Sequence, residues 1–313
     1  MSCNSRYGIC ALCKKEGKLE LSHIIPKFVP RRLKKKSPTG FLRNAFEPDE
    51  RLQDGSKEYL LCGECEDRFN IWETEFSKKV FHPYKNKKLV DFEYDDWLAK
   101  FIISVNWRTL YLDLQGLKKE KNIGEENISL LEESEKILRE YILEERTDIG
   151  DIEVNMFLFD DIKIASPEIV ECNPHEFFNH SLFDYTYIQT SDYGTGIGVI
   201  ANLSGILIYT IIKKISIENS ENTKVSLGSG IFRISNQKTN SPIIGDVFNY
   251  MRESREAHKR ISEEQMKKIV DSVKKSGKYE NSEIALNREK DNELKIDKLK
   301  NYITKNILYH FKK

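Results

Sequence analysis

Cys10-Ala-Leu-Cys13 and Cys62-Gly-Glu-Cys65 are the stretches on which the reading of this chain turns. Two residues between cysteines let both sulfurs of a tight turn face one ion, and two such turns complete a tetrahedron. Gly63 eases the second turn. A redox dithiol would need only one pair, in a thioredoxin-like βαβ setting that the flanking sequence lacks. Cys10, Cys13, Cys62 and Cys65 are therefore expected to hold one structural Zn²⁺ in a reducing compartment. Of the other cysteines, Cys3 reads as a thiol in a frayed terminus and Cys172 as a small buried hydrophobe.

Between the pairs lie 48 residues, including Leu19-Glu20-Leu21-Ser22-His23-Ile24-Ile25-Pro26-Lys27. Alternation predicts a strand with Leu19, Leu21 and His23 on one face, ended by Pro26. Arg31, Arg32, Lys34, Lys35 and Lys36 follow around Leu33, and Phe41 and Arg43 extend the patch. Such a cluster suits contact with phosphate. The chain as a whole is neutral, but residues 1–90 carry 19 Lys and Arg against 12 Asp and Glu, leaving 31 against 38 for the rest. The cationic excess thus sits with the cysteines, as nucleic-acid binding would require. A solvated lysine-rich surface would give the same counts.

The second cysteine pair runs into a helical pattern. Cys65, Phe69, Trp72, Phe76 and Val80 recur at three- and four-residue spacing and predict a core stripe. Glu66, Asn70 and Glu73 form a second stripe. Oxygen donors so placed could hold Mg²⁺ or Mn²⁺ opposite His23, or could be a solvated polar face.

A zinc knuckle, a strand ending in His23-Ile24-Ile25-Pro26, and a second C-x-x-C entering a helix resemble the HNH (His-Asn-His) endonuclease family. The likeness covers residues 8 to about 82. It implies a ββα-metal fold and hydrolysis of phosphodiester bonds in nucleic acid, DNA in the first instance. By that resemblance His23 is the general base, and a divalent ion stabilises charge on the phosphate. The family places Asp, His or Glu before the base, where this chain has Ser22, and Asn after the second C-x-x-C, where it has Glu66. Asn70 and Glu73 are the candidates for the family's last ligand, and His82 comes late for that role. The segments Tyr94–Phe101 and Ser104–Arg108 are similar to those of uncharacterised bacterial proteins with an HNH-like start.

Beyond residue 90 the pattern is helical from Asp95 to about Arg146, with one broad apolar face bearing Trp97, Phe101, Ser104, Val105, Arg108, Leu110 and Tyr111. A second helix is predicted from Ile128 to Glu145, capped by Asn127 or Ser129. Strands are predicted over Val154–Phe159, Tyr185–Gln189, Gly196–Ala201, Gly205–Lys213, Val225–Leu227 and Gly230–Ile234, with a hairpin turn at Leu203-Ser204-Gly205. Gly194, Gly196 and Gly198 precede a strand rather than a helix, so they read as a bulge or turn and not as a dinucleotide fingerprint. Asp160–Asp161 and His175–Glu176 read as isolated polar pairs. Helices are predicted over residues 242–276 and 294–312, with a polar loop from Ser276 to Asp291 between them.

The expected architecture is α+β. A zinc-stapled, HNH-like ββα-metal module spans 1–90, and an α+β domain with a mainly antiparallel sheet spans 91–313. The longest apolar run, Ile197–Ile212, is interrupted by polar residues and glycines and falls short of the roughly 20 residues of a spanning helix. No charged-then-apolar leader opens the chain. The expected protein is soluble and cytoplasmic, without a membrane partner. It is expected to be a metal-dependent nuclease whose second domain senses a signal, binds a partner or forms a homo-oligomer, in a bacterial defence setting. The alternative is a non-catalytic zinc module binding nucleic acid or protein.

Overall fold

The chain is described here from a computed structural model, which defines residues 6–296 apart from 121–122, 160–161, 163, 166, 278 and 280–281. Cys3, the Asp160–Asp161 pair and residues 297–312 of the expected C-terminal helix lie outside the described residues. The cysteine-bearing segment forms a three-stranded antiparallel sheet, β1 (Arg6–Ile9), β2 (Glu16–His23) and β3 (Lys57–Cys62), in that order. The alternation expected on β2 breaks. A bulge opposite Glu20–Leu21 makes Leu60 an extra residue on β3, so Leu60 and Leu61 are both buried. On β2, Leu19 and Ser22 turn inward while Leu21 is exposed.

After Pro26 the chain enters helix α1 (Phe28–Lys36), which carries the basic cluster. Helix α2 (Gly63–Phe76) starts at the second cysteine pair. It runs through a π turn, Ser77–Phe81, into a last helical turn, His82–Lys85. Its predicted core stripe is buried, and Phe76 stacks on Phe101 with ring centroids 3.8 Å apart.

Helix α3 (Asp96–Leu117) was expected to bury one broad face, yet it is buried nearly all round. It lies between α2 and a second sheet, so each side meets protein. Helix α4 (Glu125–Ile142) starts before the expected Ile128, with Gly124 as N-cap in place of Asn127 or Ser129. The second sheet contains β4 (Glu153–Leu158), β5 (Leu182–Ser191), β6 (Gly194–Leu203), β7 (Ile206–Lys213) and β8 (Lys224–Val225). It is antiparallel throughout, in the order β8-β4-β7-β6-β5. On β7, Ile206, Ile208 and Ile212 face the α3 side, whereas Leu207, Tyr209 and Ile211 face the opposite core. Burial of both faces explains why Ile197–Ile212 reads as one apolar run.

Ser204 and Gly205, with φ of +58° and +94°, make the two-residue turn expected between β6 and β7. The glycine triplet is both turn and bulge: Gly194 (φ +107°) enters β6 from a tight turn, and the register shifts between Ile197 and Gly198. Gly230–Phe232 leaves this sheet and pairs with Phe92–Tyr94.

The far face is covered by α5 (Pro174–His180) and α6 (Pro242–His258). The single helix expected over 242–276 is two, because Ser262 caps a new helix, α7 (Glu263–Ser276). The expected polar loop Ser276–Asp291 is largely occupied by helix α8 (Glu283–Asn292), capped by Ser282. Nor is His175–Glu176 isolated. Asp291 of α8 accepts hydrogen bonds from the backbone amides of His175 (2.8 Å) and Glu176 (2.9 Å) and faces His175 Nδ1 at 2.9 Å. No helix among the described residues is long and apolar enough to cross a membrane.

Candidate metal centre and the polar site beside it

The first knuckle is shaped by the backbone. Lys14 adopts a left-handed φ of +59°, its amide donates to Cys10 O at 3.0 Å, and Ala11 N donates to Leu60 O at 2.9 Å. The sheet therefore brings the first pair against the second, and Cys62 N donates to Cys10 Sγ at 3.3 Å. All four sulfurs lie within 4.8 Å of one another, with Cys13 and Cys62 Sγ 3.8 Å apart. A tetrahedron with Zn–S of about 2.3 Å has edges of about 3.8 Å, whereas a disulfide needs about 2.05 Å. All four cysteines are free. A hydrogen bond from the Cys65 thiol, opposed by burial, brings Cys10 down to about 4, while the same contact pushes Cys65 up. The four residues could hold a metal ion such as Zn²⁺ between β1–β2 and β3–α2.

His23 ends β2 with its ring 15% exposed, and Nε2 lies 3.2 Å from Asp54 Oδ2. Behind it, Arg108 of α3 is buried and donates to His23 O at 2.8 Å and to Glu73 Oε1 at 2.9 Å. Glu66 points into the same region. Burial raises its pKa, against the opposing effects of Ser22, Arg108 and His23. Ser22 Oγ and Glu66 Oε1 are cut off from solvent without a well-formed hydrogen bond, although the hydroxyl is close enough to favour the charged carboxylate. The α2 stripe is thus split: Glu66 and Glu73 face the end of β2, while Asn70 is exposed. Among the described residues, the four cysteines are the one group of three or more His, Cys, Asp or Glu ligand atoms near enough to share an ion. Glu73 already carries a guanidinium. His23, Glu66 and Glu73 do not bring three ligand atoms close enough to share a divalent ion in this arrangement.

The cations of α1 divide in the same way. Arg32 forms a two-pronged contact with Glu283 of α8, both distances being 2.8 Å, and Lys36 reaches Glu283 at 3.2 Å. Lys34 donates to Gln53 O at 2.6 Å, and Arg43 donates to Pro48 O at 2.9 Å. Arg31, Lys35 and Lys36 are exposed, and His82 is exposed beside Phe81. Asp54 and Arg108 were not among the sequence candidates. Asp54 sits in a turn-forming Asp-Gly pair, and the useful signal for Arg108 was a charge inside an apolar helix. Comparison of the chain with protein-family models, curated proteins and solved structures returns no match.

Proposed function

We propose that the zinc-stapled N-terminal segment is an HNH-type nuclease module that hydrolyses phosphodiester bonds of nucleic acid, DNA in the first instance. The observation that carries this reading is the partly exposed His23 imidazole at the end of β2, set against a carboxylate on one side and tethered through its backbone to Arg108 on the other. Two antiparallel strands followed by a helix, β2–β3–α2, support the same family. In this mechanism His23 accepts the proton of an attacking water as the general base. Zinc bound to the four cysteines supplies only rigidity. Arg31 and Lys35 are exposed on α1 and would meet the phosphate backbone. Residues 91–313 would then sense a signal, bind a partner or form an oligomer, and a nuclease joined to such a region would suit a bacterial defence role.

One observation favours the second reading, a zinc module that binds nucleic acid or protein without cutting. Arg108 neutralises Glu73, and Glu66 is shut away from solvent at one oxygen. A plasmid-nicking assay with Mg²⁺, Mn²⁺ or chelator separates the two. Wild type is expected to nick DNA, and His23→Ala to lose at least about 10²-fold in rate. Equal cleavage by both removes His23 as the base, and no cleavage under any condition leaves the binding module.

A further inference from the structure

We infer that Asp54 is the positioning residue for His23: it sets the plane of the imidazole and decides which ring nitrogen carries the proton. The catalytic meaning of this rests on the nuclease reading, but the geometry and its first test do not. Asp54 precedes β3, and its carboxylate is held from several sides. Oδ1 accepts from Gly55 N at 3.0 Å, and Oδ2 takes the Lys57 ammonium at 2.6 Å as well as His23 Nε2 at 3.2 Å. His23 and Lys57 are cross-strand partners on β2 and β3, so the pleat delivers both to one carboxylate.

The protonation state follows from this setting. Burial alone would raise the Asp54 pKa, but the Lys57 ammonium, the Gly55 amide and the imidazole outweigh it and bring the carboxyl to about 2. An ionised carboxylate can only accept. The ring nitrogen facing it must therefore carry hydrogen, so Nε2–H donates to Asp54. In the neutral ring the lone pair then lies on Nδ1, which makes Nδ1 the basic atom. Lys57 balances the Asp54 charge. Glu66 and Glu73 of α2 and Arg108 of α3 are the other charged groups packed around this end of β2. Removal of Asp54 leaves the tether from Arg108 to the His23 backbone intact, while the ring, Lys57 and the Gly55 amide lose their shared carboxylate.

The test reads the ring directly. The full-length, zinc-loaded protein is labelled with ¹⁵N-histidine, His23 is assigned by its loss in His23→Gln, and long-range ¹H–¹⁵N spectra are recorded through a pH titration. Wild type is expected as the Nε2–H tautomer, with Asp54→Asn giving a mixture or the reverse. Asp54→Glu, which keeps the acceptor, is expected to restore Nε2–H in part. An Nδ1–H ring in wild type, or an unchanged ring in a folded Asp54→Asn, overturns the inference. Should Asp54→Asn lose its zinc or fold, Lys57→Gln serves instead. It leaves the carboxylate mobile and is expected to broaden the tautomer distribution, and an unaltered ring there counts against the inference. In nicking assays kcat should fall about 10²–10⁴-fold in Asp54→Asn with DNA affinity kept. If the tautomer switches as expected while no protein cleaves any substrate, the nuclease reading fails and the positioning of His23 stands.

Discussion

Arg108 carries a charge to a position 1% exposed, and each nitrogen of its guanidinium has a hydrogen-bond partner. Nε donates to Ser104 O at 3.2 Å, Nη1 to His23 O, Nη2 to Glu73, and the plane lies 5.1 Å from the Phe69 ring centre. Removing one partner of a buried pair strands the other, which costs about 3–5 kcal/mol, while replacing both by apolar groups is nearly neutral. Arg108→Met is therefore expected to lose about 3–5 kcal/mol in urea unfolding, and the Arg108→Met, Glu73→Leu double variant to regain most of it. A single-variant loss below about 1 kcal/mol would show that the pair does not anchor the site. The residue scale also explains what could be read in advance. The cysteines were legible because two residues of spacing make a local geometric statement. His23 was legible as a strand end, but its partner Asp54 is 31 residues away and chain order carries no sign of that contact. Arg108 was counted on an apolar face. A charge there needs a buried partner, and the sequence does not say that the partner is Glu73.

Among the elements, β6 shows how closely the layers approach. A Cβ on Gly198 would come within 2.8 Å of Ile243 Cδ1 on α6 and 2.9 Å of Thr210 O on β7. Gly198→Ala is expected to cost about 1–3 kcal/mol through forced displacement. Adding Ile243→Val should restore part of that by removing the Cδ1 contact, leaving the backbone oxygen contact in place, and paired thermal melts would show it. Strands β6 and β7 were legible because both of their faces are apolar. Helix α8 was not, because its apolar stripe is thin and Leu286 is 53% exposed. Charge fastens it instead, through Asp291 at the start of α5 and Glu283 on α1. Burial opposes ionisation of Glu283, but Arg32 and Lys36 win and hold its carboxyl near 2, below the ordinary 4.5. A depressed carboxyl contributes stability that is fully present above its unfolded-state value and is lost as pH falls through the folded one. The Tm difference between wild type and Glu283→Gln is thus expected to shrink as pH falls from about 5 toward 2. A difference that stays constant over that range would remove the ionic fastening.

Across the whole molecule, one set of buried residues runs from Leu12 and Leu61 by the cysteines, through Phe69, Phe76, Phe101 and Trp107, to Ile206 and Ile208 of the second sheet. Domains separated by a linker would have a core each. We expect one cooperative thermal transition for the zinc-loaded protein, with about one zinc per chain. Chelation, or Cys62→Ser, should lower that entire transition, since structural zinc contributes directly to folding. Two separated transitions in calorimetry, only the first sensitive to chelator, would mean that the module folds on its own. The contact between α1 and α8 has a further bearing, on synthesis. Arg32 and Glu283 are 251 residues apart, and ribosomes add about 5–20 residues per second. Roughly 10–50 s therefore pass between the appearance of the cationic helix and that of its counter-charge. A stalled or truncated product keeps Arg32 and Lys36 without the Glu283 carboxylate that neutralises them in the finished chain.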